Sequence, residues 1–208
     1  ETFARELDSK GNLAGAFFCS KISSERRDVS RIVPSLARSL ALVNPIYKRS
    51  LVKVLDKAKL DAQRIVGMNI AEQFRLLLVE PMQACYLKEI GSWAGLENMT
   101  FVIDALDECE DEEALAYFLD SVRLYSADLP VRFFLTGRPT PLMLSLADPD
   151  LNPSILMDDI EEASTKADIG VFLEEALEKV PSFKAEWRRV KGKVEELAEL
   201  CGTSFVVA

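Results

Sequence analysis

Phe101-Val102-Ile103-Asp104-Ala105-Leu106-Asp107-Glu108 is a short apolar run that ends abruptly in carboxylates. The run is too short for a typical helix and rich in β-branched and aromatic residues, so it predicts a buried parallel strand. Asp104 then stands where the strand leaves the sheet. In open α/β sheets, ligands gather outside the carboxyl ends of the strands. A carboxylate placed there can hold Mg²⁺, an ion bound through one or two carboxylates plus substrate phosphates. Ala105 leaves room beside the ion, and Asp107 and Glu108 follow within reach of an attacking water.

Outward from that stretch, helical and strand patterns alternate. Residues 2–10 read as a helix tail with Phe3 and Leu7 on one face and Gly11 as the stop. Residues 14–19 form an apolar strand. Residues 28–42 carry Val29, Ile32, Val33, Leu36, Ala37 and Leu40 at helical spacing, with Pro34 inside the pattern as a predicted kink. A second helix is expected over 46–59. Asn69 is placed to cap a third, which should end at Val79, before Pro81. Residues 82–99 predict a helix broken at Gly91 and Gly95.

Beyond the central strand, Asp111 should cap a helix to about Tyr125 that turns Leu115, Phe118, Leu119 and Val122 inward. Residues 131–136 predict a strand, Thr140-Pro141 the start of a short helix, and 154–157 a weak last strand. From about Ser164 the pattern becomes all-helical. Ile169, Phe172, Leu173, Ala176, Leu177 and Val180 mark one amphipathic helix, and residues 184–201 a second, closed by Gly202. The expected fold is a three-layer α/β domain with a parallel sheet over residues 1–160, followed by the start of a helical subdomain over 161–208.

Composition narrows the function. A chain of 208 residues is long enough for one sizeable core. The 34 acidic and 25 basic residues leave a net charge of −9, which argues against nucleic acid as a general partner. No apolar run is long enough to span a membrane, so a cytoplasmic protein is expected. Cysteines 19, 85, 109 and 201 show no CxxC spacing and read as reduced, mostly buried thiols. Histidine is absent, which excludes Ser-His-Asp and Cys-His catalysis and any histidine-based zinc site within these residues.

The order apolar strand, Asp, small residue, apolar residue, Asp-Glu resembles the Walker B element of the NACHT family of signal-transducing NTPases. Gly15-Ala16-Phe17-Phe18-Cys19-Ser20 upstream and Phe133-Phe134-Leu135-Thr136-Gly137-Arg138-Pro139 downstream are similar to the fungal, nephrocystin-like members of that family. The resemblance covers nearly the whole chain and implies a P-loop NTPase-like sheet. It also implies ATP or GTP with Mg²⁺ as ligands, and a switch in which diphosphate keeps a closed state while triphosphate allows self-oligomerisation and signalling. An N-terminal effector and C-terminal repeats would be its partner regions.

No G-x-x-x-x-G-K-[ST] segment occurs in the 208 residues; Gly192-Lys193 is followed by Val194 and has no glycine five residues earlier. The resemblance puts the P-loop just before Glu1, with its strand between 131–136 and 154–157. The expectation is therefore a fragment cut at both ends, inactive alone for want of a phosphate cradle. Interior strand edges would be left unpaired, so marginal stability is expected too.

By that resemblance Asp104 coordinates Mg²⁺; the competing reading is a strand-end Asp that caps its own turn. Asp107 is the first choice for the base that activates water and Glu108 the second, because crowded carboxylates raise one another's pKa. Glu110 to Glu113 read instead as a solvated helix start favoured by the helix dipole. Thr136 and Arg138 fall at the sensor position that reads the γ-phosphate; alternatively they form only a turn with a solvated arginine. Arg26 and Arg27 read as a solvated loop, and Trp93 and Trp187 as packing residues. The rival function is a degenerate, non-hydrolysing interaction module.

Overall fold

The computed structural model describes residues 1–86, 92–146, 155–158, 162–180 and 187–201. The chain divides into two compact units, Glu1–Leu156 and Met157–Ala208.

In the first unit, α1 (Thr2–Ser9) leads through Gly11, at φ +69°, into β1 (Leu13–Phe18). A 3-10 turn (Val29–Arg31) and α2 (Ile32–Val43) follow. Then come α3 (Pro45–Ala58), α4 (Ala62–Val66) and α5 (Ile70–Phe74). A π segment (Arg75–Val79) joins α5 to α6 (Glu80–Gln83). The central strand β2 (Thr100–Asp104) runs into a 3-10 turn (Leu106–Glu108) and α7 (Glu112–Tyr125). Last are β3 (Arg132–Leu135) and α8 (Pro141–Leu146).

The three strands form one parallel sheet in the order β1-β2-β3. The register sets which residues share a face, because side chains alternate along each strand. Phe17, Ile103 and Leu135 lie in one row, and Gly15, Phe101 and Phe133 in another on the same face. Ala16, Val102 and Phe134 point the opposite way. Helices cover both faces.

On the Phe101 face, Phe74 of α5 gathers Phe118, Tyr125 and Phe133 at ring-centroid distances of 6.2, 5.9 and 5.8 Å. Phe101, Ile103, Leu36, Leu40, Phe118 and Leu78 are completely or almost completely buried there. On the other face Phe3 of α1 meets Phe134 at 4.6 Å, yet Phe134 stays 42% exposed.

Helix starts follow the sequence. Asn44 accepts from Ile46 N–H and Tyr47 N–H ahead of Pro45, and Asn69 from Glu72 N–H. Asp111 accepts from Ala114 N–H and Thr140 from Met143 N–H. Each side chain satisfies a donor that the first helical turn leaves free. Leu115, Phe118, Leu119 and Val122 are buried, as their spacing predicts. Asp61 caps α4, a short helix the sequence pattern did not announce.

Pro34 and Pro81 behave differently from expectation. Pro34 lies in the first turn of α2, where its missing N–H has no partner to lose, so no kink is required. Pro81 does not stop its helix. It has no N–H to give the Leu77 carbonyl four residues back, and the Tyr47 hydroxyl donates to that carbonyl instead. The ladder widens at the same place, Glu80 N–H reaching five residues back to Arg75. Burial holds the Tyr47 phenol well above its ordinary pKa.

Residues 92–99 form turns rather than the expected helix, with Gly95 at φ +83°; Gly91 lies outside the described residues. Residues 155–158 carry no strand pairing, against the weak strand expected at 154–157. A strand exists by its ladder, and among the described residues none is hydrogen-bonded to this segment.

In the second unit, α9 (Glu162–Glu178) and α10 (Trp187–Cys201) pack through Ile169, Leu173, Val194 and Ala198. Phe172 and Val180, expected on the inner face, are 48% and 37% exposed. Among the described residues no helix is long and apolar enough to cross a membrane.

Gly15 is where α2 meets the sheet: a Cβ there would lie 2.7 Å from the Ser39 Cβ, closer than real atoms approach. Gly15→Ala should lower stability by about 1–3 kcal/mol, the usual cost of overpacking. Thermal unfolding followed by circular dichroism reads this. Ser39→Gly should recover part of the loss, and Ser39→Ala, which keeps the Cβ, should recover none.

Candidate functional site

Because the strands are parallel, their carboxyl ends open along one edge of the sheet. Cys19 follows β1, Ala105 follows β2 and Thr136 follows β3. Backbone bonds continue the ladder past the strand ends. Cys19 N–H donates to the Asp104 carbonyl at 2.9 Å, Thr136 N–H to Ile103 at 2.9 Å, and Leu106 N–H to Thr136 at 2.9 Å.

Asp104 is half-buried at the centre of that edge. The Thr136 hydroxyl donates to Asp104 Oδ1 and accepts from Ala105 N–H at 3.1 Å. One hydroxyl therefore joins the ends of β2 and β3. Asp104 Oδ2 makes no hydrogen bond or ion pair among the described residues.

Ala105 adopts φ +58°, ψ +48°. The left-handed conformation costs a residue with a Cβ about 1–2 kcal/mol, and such strain persists only where its surroundings impose it. Here the two bonds to Thr136 impose it, turning the chain sharply from the strand into the 3-10 turn that carries Asp107 and Glu108. Gly137 presses against that turn: a Cβ there would lie 3.3 Å from the backbone nitrogens of Leu106 and Asp107.

Asp107 Oδ1 accepts Arg138 N–H at 3.1 Å, and its other oxygen lies 3.5 Å from the guanidinium Nε. The Asp107 side chain is only 16% exposed, whereas that of Arg138 is 86% exposed. Glu108 Oε2 accepts Lys21 N–H at 3.0 Å from the loop after β1. Arg27 pairs with Glu110 at 2.9 Å, so it is not simply a solvated arginine, while Arg26 is exposed. Trp93 packs on Tyr86 at 4.8 Å and on the core; the side chain of Trp187 lies outside the described residues.

The structure thus gathers Asp104, Asp107, Glu108, Thr136 and Arg138 at one edge of the sheet. It adds a pair that the sequence did not signal. The sulfurs of Cys19 and Cys109, 90 residues apart, lie 3.4 Å from each other. Their mutual hydrogen bond, with burial second, pushes the Cys19 thiol up, and the same bond holds Cys109 below the usual thiol range. No spacing rule marks such a pair.

Among the described residues, no group of three or more Cys, Asp or Glu side chains is gathered as a metal cage. The donor offered at Asp104 is a single open carboxylate oxygen. That fits an ion that takes one protein carboxylate and fills its shell with water and phosphate. It does not fit one that needs an all-protein cage. Two clefts among the described residues lie elsewhere: one of about 210 Å³ beside α1 and β1, and one of about 380 Å³ beside α9 and α10.

Fold and site together define an α/β protein with a small parallel sheet and a polar, carboxylate-bearing edge. A match to the family described as Nephrocystin 3, N-terminal covers residues 1–138, and the chain belongs to that family. Neither a curated protein nor a solved structure matches it.

Two substitutions test how the edge is held. Thr136→Val removes the hydroxyl that serves Asp104 and Ala105, and should cost about 1–3 kcal/mol by stranding two polar groups. Ala105→Gly relieves the left-handed strain and should raise stability, by at most about 1 kcal/mol. Urea unfolding midpoints check both. A neutral Thr136→Val would mean that the hydroxyl is not needed to join the two strands.

Proposed function

We propose that this chain is part of a NACHT-type, nucleotide-controlled signalling switch that binds ATP or GTP and, in the intact protein, hydrolyses it slowly. The observation that carries this reading is the Thr136 hydroxyl bonded to Asp104. It couples a carboxylate suited to Mg²⁺ with the strand end that would read the γ-phosphate.

Each residue then has a task. Asp104 offers its open oxygen to the ion, directly or through water. Held there through Asp104, Mg²⁺ would supply Lewis-acid stabilisation of phosphate charge. Asp107 and Glu108 sit on the turn that follows, Asp107 as first choice and Glu108 as second for orienting and deprotonating the attacking water. The guanidinium of Arg138, itself well exposed, is held to Asp107 only by a weak ion pair at 3.5 Å, worth about 0–1 kcal/mol. It is therefore free to swing toward a phosphate. Thr136 passes a change at the phosphate to the 3-10 turn through its bonds to Ala105 and Leu106.

The phosphate cradle in this reading comes from residues outside these 208, since none of the required form lies within them. The switch is cytoplasmic, self-associates in its triphosphate form, and relays to effector and repeat regions elsewhere in the protein. One observation favours the rival, a non-hydrolysing interaction module. Asp107 and Glu108 both already accept loop N–H groups, the work of purely structural carboxylates.

Calorimetry with ATP and ADP in the presence of Mg²⁺, on this chain and on the native protein extended upstream, separates the two. Binding is expected only for the extended protein. Asp104→Ala should weaken it at least about tenfold with Mg²⁺ present, a loss of roughly 1.4 kcal/mol. Absence of binding by either protein would sink the switch and leave the module.

A further inference from the structure

We propose that Cys19 and Cys109 form an oxidisable dithiol, a modification site at which a peroxide converts the pair into an intrachain disulfide. This inference does not depend on nucleotide binding. It rests on the placement of two sulfurs and the loops that hold them.

Both thiols are free, and their sulfurs stand 3.4 Å apart. A disulfide bond is about 2.05 Å long, so the sulfurs must approach by roughly 1.3 Å. The loops around them are already fastened together. Cys19 N–H bonds the Asp104 carbonyl, Lys21 N–H bonds Glu108, Glu110 N–H bonds the Arg27 carbonyl, and Arg27 pairs with Glu110. Cys109 follows the 3-10 turn in extended conformation, at φ −73°, ψ +144°, and Cys19 lies one residue past β1. Closing the gap therefore breaks no regular element. The other two thiols are placed differently: Cys85 is buried against the Pro81 carbonyl and Ser50, and Cys201 belongs to the second unit.

Exposure assigns the order of attack. Cys109 is the more accessible of the two, partly exposed, and meets the oxidant first; Cys19, only 6% exposed, resolves it. The Cys109 sulfur attacks the peroxide O–O bond, forming a sulfenic acid and releasing one water from hydrogen peroxide. Cys19 then attacks that sulfur, the S–O bond breaks, and the departing hydroxyl leaves as water with the thiol proton. Two thiols are oxidised and one peroxide is reduced to two waters. The product ties the end of β1 to the turn that carries Asp107 and Glu108, so oxidation fixes the carboxylate-bearing edge.

The test uses the whole chain, fully reduced, desalted and exposed to hydrogen peroxide. The expected product is lighter by about 2 Da, is reversed by dithiothreitol, and gives a cross-linked peptide containing Cys19 and Cys109 on non-reducing digestion. Cys19→Ser and Cys109→Ser should each abolish that cross-link. Accumulation of sulfinic acid at Cys109 without a cross-link would overturn the proposal, as would a link through Cys85 or Cys201 or unreacted Cys19 and Cys109. Because mass alone is read, failure here leaves the nucleotide reading untouched, and the converse holds.

Discussion

β2 is hydrogen-bonded on both sides, to β1 and to β3, and the placement of every candidate residue in the first unit follows from that pairing. A central parallel strand must bury both faces, which is why Phe101, Val102 and Ile103 are all apolar and all hidden. Its last residue cannot stay in that environment as a carboxylate. Asp104 is therefore pushed to the edge, where one oxygen meets Thr136 and the other is open. The site is the point at which the core's demand for apolar side chains ends.

That geometry also explains the strain at Ala105. The chain has to leave β2 without continuing along the sheet, and it does so in one residue. A glycine would turn at lower conformational cost in the folded state. An alanine held by Thr136 from one side and by the close approach of Gly137 to the next residues gives a turn with fewer alternatives. The same turn sets Asp107 toward Arg138 and Glu108 toward Lys21, so three strand-end loops are bound into one body by side chains from a single short segment.

Much of this was legible in the sequence, for local reasons. The short apolar run Phe101-Val102-Ile103 ending in Asp104 announces a buried strand and its edge. Asn69, Asp111 and Thr140 announce helix starts because a cap acts within three residues of itself. The failures share the opposite property. Pro81 reads as a stop in the sequence because the donor to the carbonyl it leaves unpaired is the hydroxyl of Tyr47, on another helix. Residues 154–157 read as a strand because β propensity is visible in a sequence and a hydrogen-bonding neighbour is not. The Cys19–Cys109 contact joins residues 90 apart through the sheet register, which no spacing of cysteines records.

Asp107 and Glu108 show where physical reading of a site becomes ambiguous and how the ambiguity is built in. A carboxylate that accepts a backbone N–H is well placed by that bond and partly occupied by it. Asp107 is the more committed of the two, with an N–H, a guanidinium contact and little exposure. Glu108 gives one oxygen to Lys21. Reorienting either carboxylate toward a water requires the loop it ties to be released or held by something else. If ligand binding at Asp104 moves the Thr136 strand end, the bond between Arg138 N–H and Asp107, two residues further on, is the first to feel it. Structural ties and chemical groups are then the same atoms, and a change in one is a change in the other.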